Sequence, residues 1–412
     1  NNHYVLGADP AGQVHLALAA DLTRSLGEGR PWILMEHSTS AVNWQPRNLA
    51  KTPGQMKRNS LQHVARGADA VCFFQWRASR SGSEKFHSAM VPHAGTDTKV
   101  WREVAELGAD LVALAEVAGS RVESEVAIVW DWPAWWAVEL ASHPSVDVRY
   151  LDLVRETYEA LWRLDVTVDF VKPDADLRAY KVVAIPSLYL ASDQAALNVA
   201  SYVEGGGHLV CNFFSGIVDP DDAIRLGGYP GAFRELLGVR VEEFYPLLEN
   251  QHVALADGST GRIWSEALDL DGAKALTTYL DGPLHGKPAI TRHDVGAGVA
   301  YYVSTLLDAA STARLLGGIC DDAGVLGPGY QGGALRAPII AATGVETVRR
   351  RASDGSDTSY LFVINHTDRE VDVPAAGDEL LTHTPVTRML RVAPGAVAVV
   401  RESPRAPVDG PG

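Results

Sequence analysis

The sequence predicts an α/β protein in three successive parts: the C-terminal portion of a (β/α)8 TIM barrel, a doubly wound parallel sheet, and a small antiparallel β-sandwich. Three observations carry this reading. Before residue 118, short apolar runs alternate with segments of helical periodicity, and the apolar runs end in polar and charged groups. From 122 to 325, further apolar runs of strand length are separated by helix-length segments, the pattern of βαβ units with right-handed crossovers. Beyond a glycine-rich stretch, Gly324 to Gly333, short strands recur at regular spacing, as in a sandwich. The domains are therefore expected at 1–118, 119–326 and 337–402. A chain of 412 residues is also too long for a single core.

In chain order, Gln13 to Leu26 places Val14, Leu16, Leu18, Leu22 and Leu26 at helical spacing and stops at Gly27, a residue that ends helices readily. Trp32 to Met35 is an apolar run, read as a strand buried on both faces that stops at Glu36. Gln55 to Gly67 is the next helix, followed by a buried strand over 70–76, rich in aromatic and branched residues. Thr98 to Ala118 is a long amphipathic helix with Val100, Val104, Leu107, Leu111 and Leu114 on one face. Eight strands close a barrel, so these elements make up only its end.

In the second part, strands are expected at 126–130, 166–171, 181–186 and 209–213, with helices at 148–164 and 193–204. Gly205-Gly-Gly207 closes the second helix, residues 239–298 form a β-rich insertion, and 299–304 with a helix over 309–323 completes the sheet. In the third part, strands are expected at 345–351, 359–365, 370–373, 388–392 and 396–401, before a Pro- and Gly-rich tail over 403–412.

A carboxylate at the end of a buried strand is costly unless it is paired or used. The C-terminal ends of barrel strands are also where catalytic groups sit. Glu36 occupies such an end, and the loop after it carries Asn43 and Trp44. Taken alone, Glu36 reads as a strand cap in a solvated ion pair, the commoner case. The next strand shifts that balance: it ends in Gln75-Trp-Arg77 and is followed by Ser83-Glu-Lys-Phe-His87. Two successive strands thus deliver Glu36, Trp44, Trp76, Glu84 and His87 to one end. Indole faces beside carboxylates and an imidazole suit a sugar ring, whose C–H face stacks and whose hydroxyls hydrogen-bond. Glu36, Trp44, Glu84 and His87 are expected to line one pocket.

The blocks Met35-Glu-His-Ser-Thr39, Val42-Asn-Trp44, Pro53-Gly54, Ala68-Asp69, Phe74-Gln-Trp-Arg77 and Glu84-Lys-Phe-His87, in this order and spacing, resemble the glycoside hydrolase family 42 β-galactosidases. The resemblance implies retaining hydrolysis of terminal β-D-galactosides. By it, Glu36 matches the family's nucleophile, while Trp44, Phe74, Glu84 and His87 match residues lining the galactose subsite. Asn2-His-Tyr-Val5 resembles a loop segment in which a tyrosine, here Tyr4, approaches the sugar. The resemblance further implies that the middle part is a flavodoxin-like, class I glutamine-amidotransferase-like domain used to form a homotrimer.

A retaining glycosidase needs two carboxyl groups about 5 Å apart. The family carries its acid/base residue in an Asn-Glu pair on an earlier barrel strand, and no Asn-Glu dipeptide occurs here; Glu249-Asn250 is reversed and falls in the second part. The chain begins at Asn1 without Met. The expectation is a C-terminal part of a longer enzyme, with the acid/base residue outside this sequence. A non-catalytic sugar-binding or assembly fragment stays open, since the missing acid supports it. An amidotransferase-like hydrolase is a third reading, and the context of Cys211 opposes it. Leu209-Val-Cys-Asn-Phe213 has no glycine beside the cysteine, so no tight turn brings the thiol to a helix N-terminus.

Composition narrows the remaining classes. The chain is 46% hydrophobic and 21% charged, with a net charge of −15. This is an ordinary globular composition without the basic footprint that nucleic acid requires. No apolar run reaches the roughly eighteen residues of a membrane span. Cys72, Cys211 and Cys320 are odd in number and widely separated, so no disulfide framework is written from them, and Cys72 and Cys211, inside apolar runs, read as buried free thiols in a reducing, cytoplasmic compartment. His252, His285 and His293 lack metal-ligand spacing, and neither Gly205-Gly-Gly207 nor Gly296-Ala-Gly298 has phosphate-loop context. No metal and no cofactor are expected. Trp130, Trp132, Trp135 and Trp136 cluster near a strand end and read as either a sugar platform or an interface.

Overall fold

The computed structural model describes residues 2–7, 9, 11–325 and 344–402. The expected tail over 403–412, most of the Gly-rich boundary and the first residues of the expected third domain, 337–343, lie outside the described residues. Two compact units form: one from the described residues up to Glu123 together with those from Gly344 onward, the other from Ser124 onward.

The first unit opens with α1 (Gly12–Leu26), whose buried face includes Val14, Leu16, Ala17 and Ala20. It leads into β1 (Trp32–Ser38), α2 (Gln55–Ala65) and β2 (Ala68–Phe74), with β1 and β2 parallel and Ser38 opposite Phe74. Then comes α3 (Lys99–Ala113), capped by Thr98, whose side chain accepts from the Trp101 N–H. Val104, Leu107 and Leu114 of the predicted stripe are buried, and Val100 and Leu111 pack against them.

Two strand readings need correction. β1 does not stop at Glu36 but runs on to Ser38, and it is not buried on both faces. Ile33 is 48% and Met35 59% exposed, while Trp32, Leu34, His37 and Ser38 are buried. Among the described residues β1 forms a ladder with β2 alone, and on its covered face Trp32 and Leu34 pack with Ala20 of α1 and Ala68. Likewise β2 spans Ala68–Phe74 rather than 70–76 and is half-buried along most of its length.

After β3 (Arg121–Val122), the second unit comprises β4 (Val126–Val129), α4 (Trp132–Val138), α5 (Tyr150–Arg163), β5 (Val168–Val171), β6 (Val182–Ile185), α6 (Asp193–Glu204) and β7 (His208–Asn212). It continues with α7 (Arg234–Leu237), β8 (Val239–Pro246), β9 (His252–Ala254), β10 (Thr260–Arg262), β11 (Trp264–Leu270), β12 (Lys274–Thr278) and β13 (Pro288–Val295). β14 (Gly298–Val303), β15 (Leu306–Leu307) and α8 (Ala309–Asp322) complete it. The main sheet has the order β12-β13-β14-β7-β6-β4-β5. Its strands from β14 to β5 are parallel, and β12 and β13 run antiparallel at one edge. Every residue of β4, β6 and β14 is buried, as expected for strands covered on both faces. The β-rich insertion is therefore not wholly separate: β12 and β13 extend the main sheet, whereas β8 pairs with β11, and β9, β10 and β15 form a small sheet.

From Gly344 the chain returns to the first unit as β16 (Val345–Arg351), β17 (Ser359–Asn365), β18 (Val371–Pro374), β19 (Gly377–Glu379), β20 (Thr384–Val386), β21 (Met389–Val392) and β22 (Val397–Glu402). That is two short strands more than the sequence pattern marked. The sheet β20-β19-β22-β17-β16-β3 is antiparallel throughout, and β18 pairs with β21. One cluster joins Val348, Tyr360 and Phe362 to Met56, Leu61, Val104 and Leu107 of α2 and α3. Another joins Leu361, Val363 and Val400 to Val386, Leu390 and Val392. Arg350, fully buried, donates to Ser120 Oγ (2.8 Å), the carbonyls of Val64 (2.7 Å) and Ser120 (2.9 Å), and Asp69 Oδ1 (2.7 Å). Buried charge is tolerable only when its donors are satisfied in this way.

Candidate active site

Glu36 lies half-buried near the C-terminal end of β1. The N-terminal segment runs beside it, with a parallel bridge between Asn2 and Glu36 and a hydrogen bond from the His3 N–H to the Glu36 carbonyl (3.1 Å). This alignment brings the Tyr4 hydroxyl to Glu36 Oε1, to which it donates. Burial, then the hydrogen bond to Glu36 and its charge, raise the Tyr4 hydroxyl above the ordinary phenol range. The group therefore stays protonated and serves as a donor.

Tyr4 is the hub of the site. Its ring meets Trp44 edge-on at 4.8 Å and His87 at 5.9 Å. His87 in turn packs on Trp44 at 5.4 Å and edge-on to Phe74 at 4.9 Å. Trp44 remains 52% exposed, so indole surface is still free. His87 is buried; its Nδ1 lies 2.8 Å from the Ser88 carbonyl. A carbonyl can only accept, so Nδ1 carries the proton and, in the neutral ring, Nε2 is an acceptor. That Nε2 has no hydrogen-bond partner among the described residues.

Glu84 sits in a single 3-10 turn, Ser83–Phe86, and accepts from Asn43 Nδ2 at 2.8 Å. The same Asn43 amide donates to the Ser83 carbonyl (2.8 Å), tying the loop after β1 to the loop after β2. The charge of Glu84 also contributes to raising Tyr4. Of the sequence-predicted residues, Tyr4, Glu36, Trp44, Phe74 and His87 are thus joined by direct contacts, and Glu84 through Asn43 and its effect on Tyr4. Trp76 stands apart, 60% exposed and edge-on to Trp101 at 6.0 Å. A cavity of about 280 Å³ is lined by Leu6, Asp9, Ser40, Val42, Arg47 and Leu49 among others, and none of the predicted site residues line it.

Sequence reasoning passed over two residues. Asn43 was noted only as part of a polar loop, although an amide beside an exposed indole is a natural bridge to an acid. Lys51 was not noted at all; it is buried, with its ammonium on Ser38. In the second unit, Cys211 is fully buried and burial pushes its thiol up to about 12, which leaves it a core residue. Trp130 is buried among Trp132, Trp135 and Tyr150, whereas Trp136 is 65% exposed. Among the described residues no group of three or more His, Cys, Asp or Glu is placed to hold a metal ion, and no helix is long and apolar enough to cross a membrane.

Chemically, the cluster offers a carboxylate held by a phenol, an open aromatic face and a second carboxylate, with the buried His87 ring packed against Tyr4, Trp44 and Phe74. Residues 1–114 match the family described as β-galactosidase, residues 124–326 the β-galactosidase trimerisation domain, and residues 344–402 the β-galactosidase C-terminal domain. A β-galactosidase from Arthrobacter sp is 53% identical over 98% of this chain and 56% of its own length. A second, from Heyndrickxia coagulans, is 41% identical over 93% of this chain and 56% of its own length. The crystal structure of a β-galactosidase from Bacillus circulans sp. alkalophilus superposes with a TM-score of 0.88 at 34% identity, covering 98% of this chain and 59% of that one. The chain thus spans little more than half the length of the relatives it matches, while nearly all of it is matched. On these three consecutive matches and the relatives that span them, the chain belongs to glycoside hydrolase family 42, the β-galactosidase family.

Proposed function

We propose that this chain is the C-terminal part of a retaining β-galactosidase that acts on terminal β-D-galactosides. The observation that carries the reading is the Glu36 carboxylate at a strand end, held by Tyr4 and flanked by Trp44, Phe74, Glu84 and His87. In the first step a Glu36 carboxylate oxygen attacks the anomeric carbon, forming a glycosyl ester as the glycosidic C–O bond breaks. The leaving oxygen takes a proton from the acid/base carboxyl; that residue then deprotonates a water, which cleaves the ester. Tyr4 orients Glu36, Trp44 and Phe74 form the apolar wall, and Glu84 and His87 bind galactose hydroxyls, contacts that count most where they tighten at the transition state. The acid/base residue lies outside these 412 residues, a reading supported by the missing Asn-Glu pair and by the 56% coverage of the relatives.

On this reading residues 1–118 are the end of a (β/α)8 barrel, 119–326 a flavodoxin-like, amidotransferase-like domain and 337–402 a β-sandwich. The order β5-β4-β6-β7-β14, numbered from its first strand, follows the 2-1-3-4-5 pattern of doubly wound flavodoxin-type sheets, which supports the middle assignment. The match of 124–326 to a trimerisation domain supports a homotrimer. Three free cysteines support a reducing, cytoplasmic setting. A 2-deoxy-2-fluoro-galactoside should label Glu36 when the preceding part of the barrel is restored, and chromogenic galactosides should be cleaved only then. Labelling of Glu84 would overturn the assignment. Sedimentation of that longer form as a monomer would overturn the trimer.

A further inference from the structure

Lys51 is 2% exposed and has no carboxylate partner in an ion pair among the described residues. Burying an ammonium without such a partner is costly, so its hydrogen bonds are what it is kept for. Its Nζ donates to the Ser38 carbonyl and to Ser38 Oγ (2.9 Å). Its backbone N–H donates to Ser40 Oγ (3.3 Å), and its carbonyl accepts from Lys99 Nζ (2.8 Å). Ser38 is the last residue of β1, two beyond Glu36. Lys51 therefore closes the base of the loop over 39–50 onto the end of the strand that carries Glu36. The far side of that loop is held by Asn43 on Glu84 and Ser83, and by Trp44 against Tyr4 and His87.

We propose that Lys51 is a positioning residue for the site: by gripping Ser38 it fixes both the strand end bearing Glu36 and the base of the loop bearing Asn43 and Trp44. The catalytic half of this statement rests on Glu36 being the nucleophile; the grip itself does not. The charged and titratable groups around Lys51 set its behaviour. From α3, Lys99 repels its proton and Glu103 attracts it, while burial dominates and brings the amine down to about 7. His3, His37 of β1 and His63 of α2 all feel its charge and are themselves lowered, mainly by burial, His3 to about 4. They are neutral near pH 7 and do not oppose it. As pH rises through about 7, buried Lys51 loses its proton and remains a neutral donor to Ser38, whereas an opened loop would leave it an ordinary ammonium in water; closure of the loop is therefore favoured as pH rises.

Backbone hydrogen exchange of the whole chain, read as protection factors at pH 6 and pH 8, tests this. In the wild type, protection of 39–50 should be higher at pH 8, because the closed loop releases the Lys51 proton near pH 7 while an opened loop keeps it. Lys51→Met should lower it about tenfold at pH 8, as expected for loss of the hydrogen bonds to Ser38, and should abolish the pH difference, with amides of α2 and β17 unchanged. Unaltered loop protection in the folded variant, an equal fall in α2 and β17, or a surviving pH difference would each overturn the proposal. Should Lys51→Met not fold, Ser38→Ala, which removes one acceptor, decides: a local fall in 39–50 supports the grip and no change overturns it. In a galactoside-hydrolysing form, Lys51→Met should lower kcat about tenfold and also weaken galactose inhibition, because the loop it holds carries Trp44. Fluoro-sugar labelling of another carboxylate would remove the nucleophile reading and leave the exchange result standing.

Discussion

Replacing Glu346 by Gln should destabilise the first unit strongly at neutral pH and hardly at all in acid. Glu346 is fully buried on β16. Its Oε1 accepts from Arg66 Nε (2.9 Å) and Nη2 (2.5 Å), and its Oε2 accepts from Gln62 Nε2 (2.8 Å) and lies 2.8 Å from His366 Nε2. Arg66 also donates to Asp21 of α1, which pairs with Arg24 at 3.0 Å. The network thus ties α1 and the end of α2 to the C-terminal sheet. Burial alone would raise the Glu346 carboxyl; Arg66 and His366 overcome it and hold the group at about 2, against an ordinary 4.5. A folded-state value below the unfolded one gives stability that is complete above about pH 4.5 and is lost as pH falls towards 2. At about 1.4 kcal/mol per tenfold change in proton affinity, that is about 3 kcal/mol. Breaking one side of a buried pair costs a similar 3–5 kcal/mol or so, a large part of the roughly 5–15 kcal/mol that holds a domain together. Urea unfolding followed by circular dichroism should show a loss of about 3 kcal/mol at pH 7 that shrinks markedly by pH 3. A loss under about 1 kcal/mol at pH 7, or an equal loss at both pH values, would refute the reasoning.

Other perturbations separate chemistry from scaffold. Glu36→Gln should abolish turnover in a galactoside-hydrolysing form while leaving thermal stability nearly unchanged, because the covalent route is gone and the side chain is only half-buried. Glu84→Gln should weaken activity by no more than a few kcal/mol of transition-state binding, with turnover still measurable. Tyr4→Phe keeps the ring against Trp44 and His87 but removes the donor to Glu36; kcat/KM should fall about tenfold, and an unchanged value would show that Tyr4 does not orient Glu36. Gly298→Ala should lower the melting temperature of the second unit, since a Cβ there would meet the Val203 carbonyl oxygen at 2.1 Å and that of Gly207 at 2.4 Å. Overpacking of this kind costs about 1–3 kcal/mol, and calorimetry would detect it.

Local pattern was enough for some of the molecule. The helix over 193–204 was readable as a helical segment closed by Gly205-Gly-Gly207, and α3 from the amphipathic stripe beginning after Thr98, because such signals are properties of neighbouring residues. Glu36 was legible from its place near a strand end, and Trp44, Glu84 and His87 from the loops that follow the two strands, since chain order alone gives that placement. Partners distant in the chain were not. Tyr4 reaches Glu36 only because the N-terminal segment runs parallel to β1, and the two-residue β3 exists only because β16 returns to pair with it. Alternating burial of β1 depends on which neighbours cover it, and a run such as Trp32 to Met35 carries no record of them. Lys51, Arg350 and Glu346 would all read as exposed charges from sequence, as such residues usually are. What buries them is a set of carbonyls, hydroxyls and countercharges brought in from elsewhere in the chain, and only the folded arrangement supplies those partners.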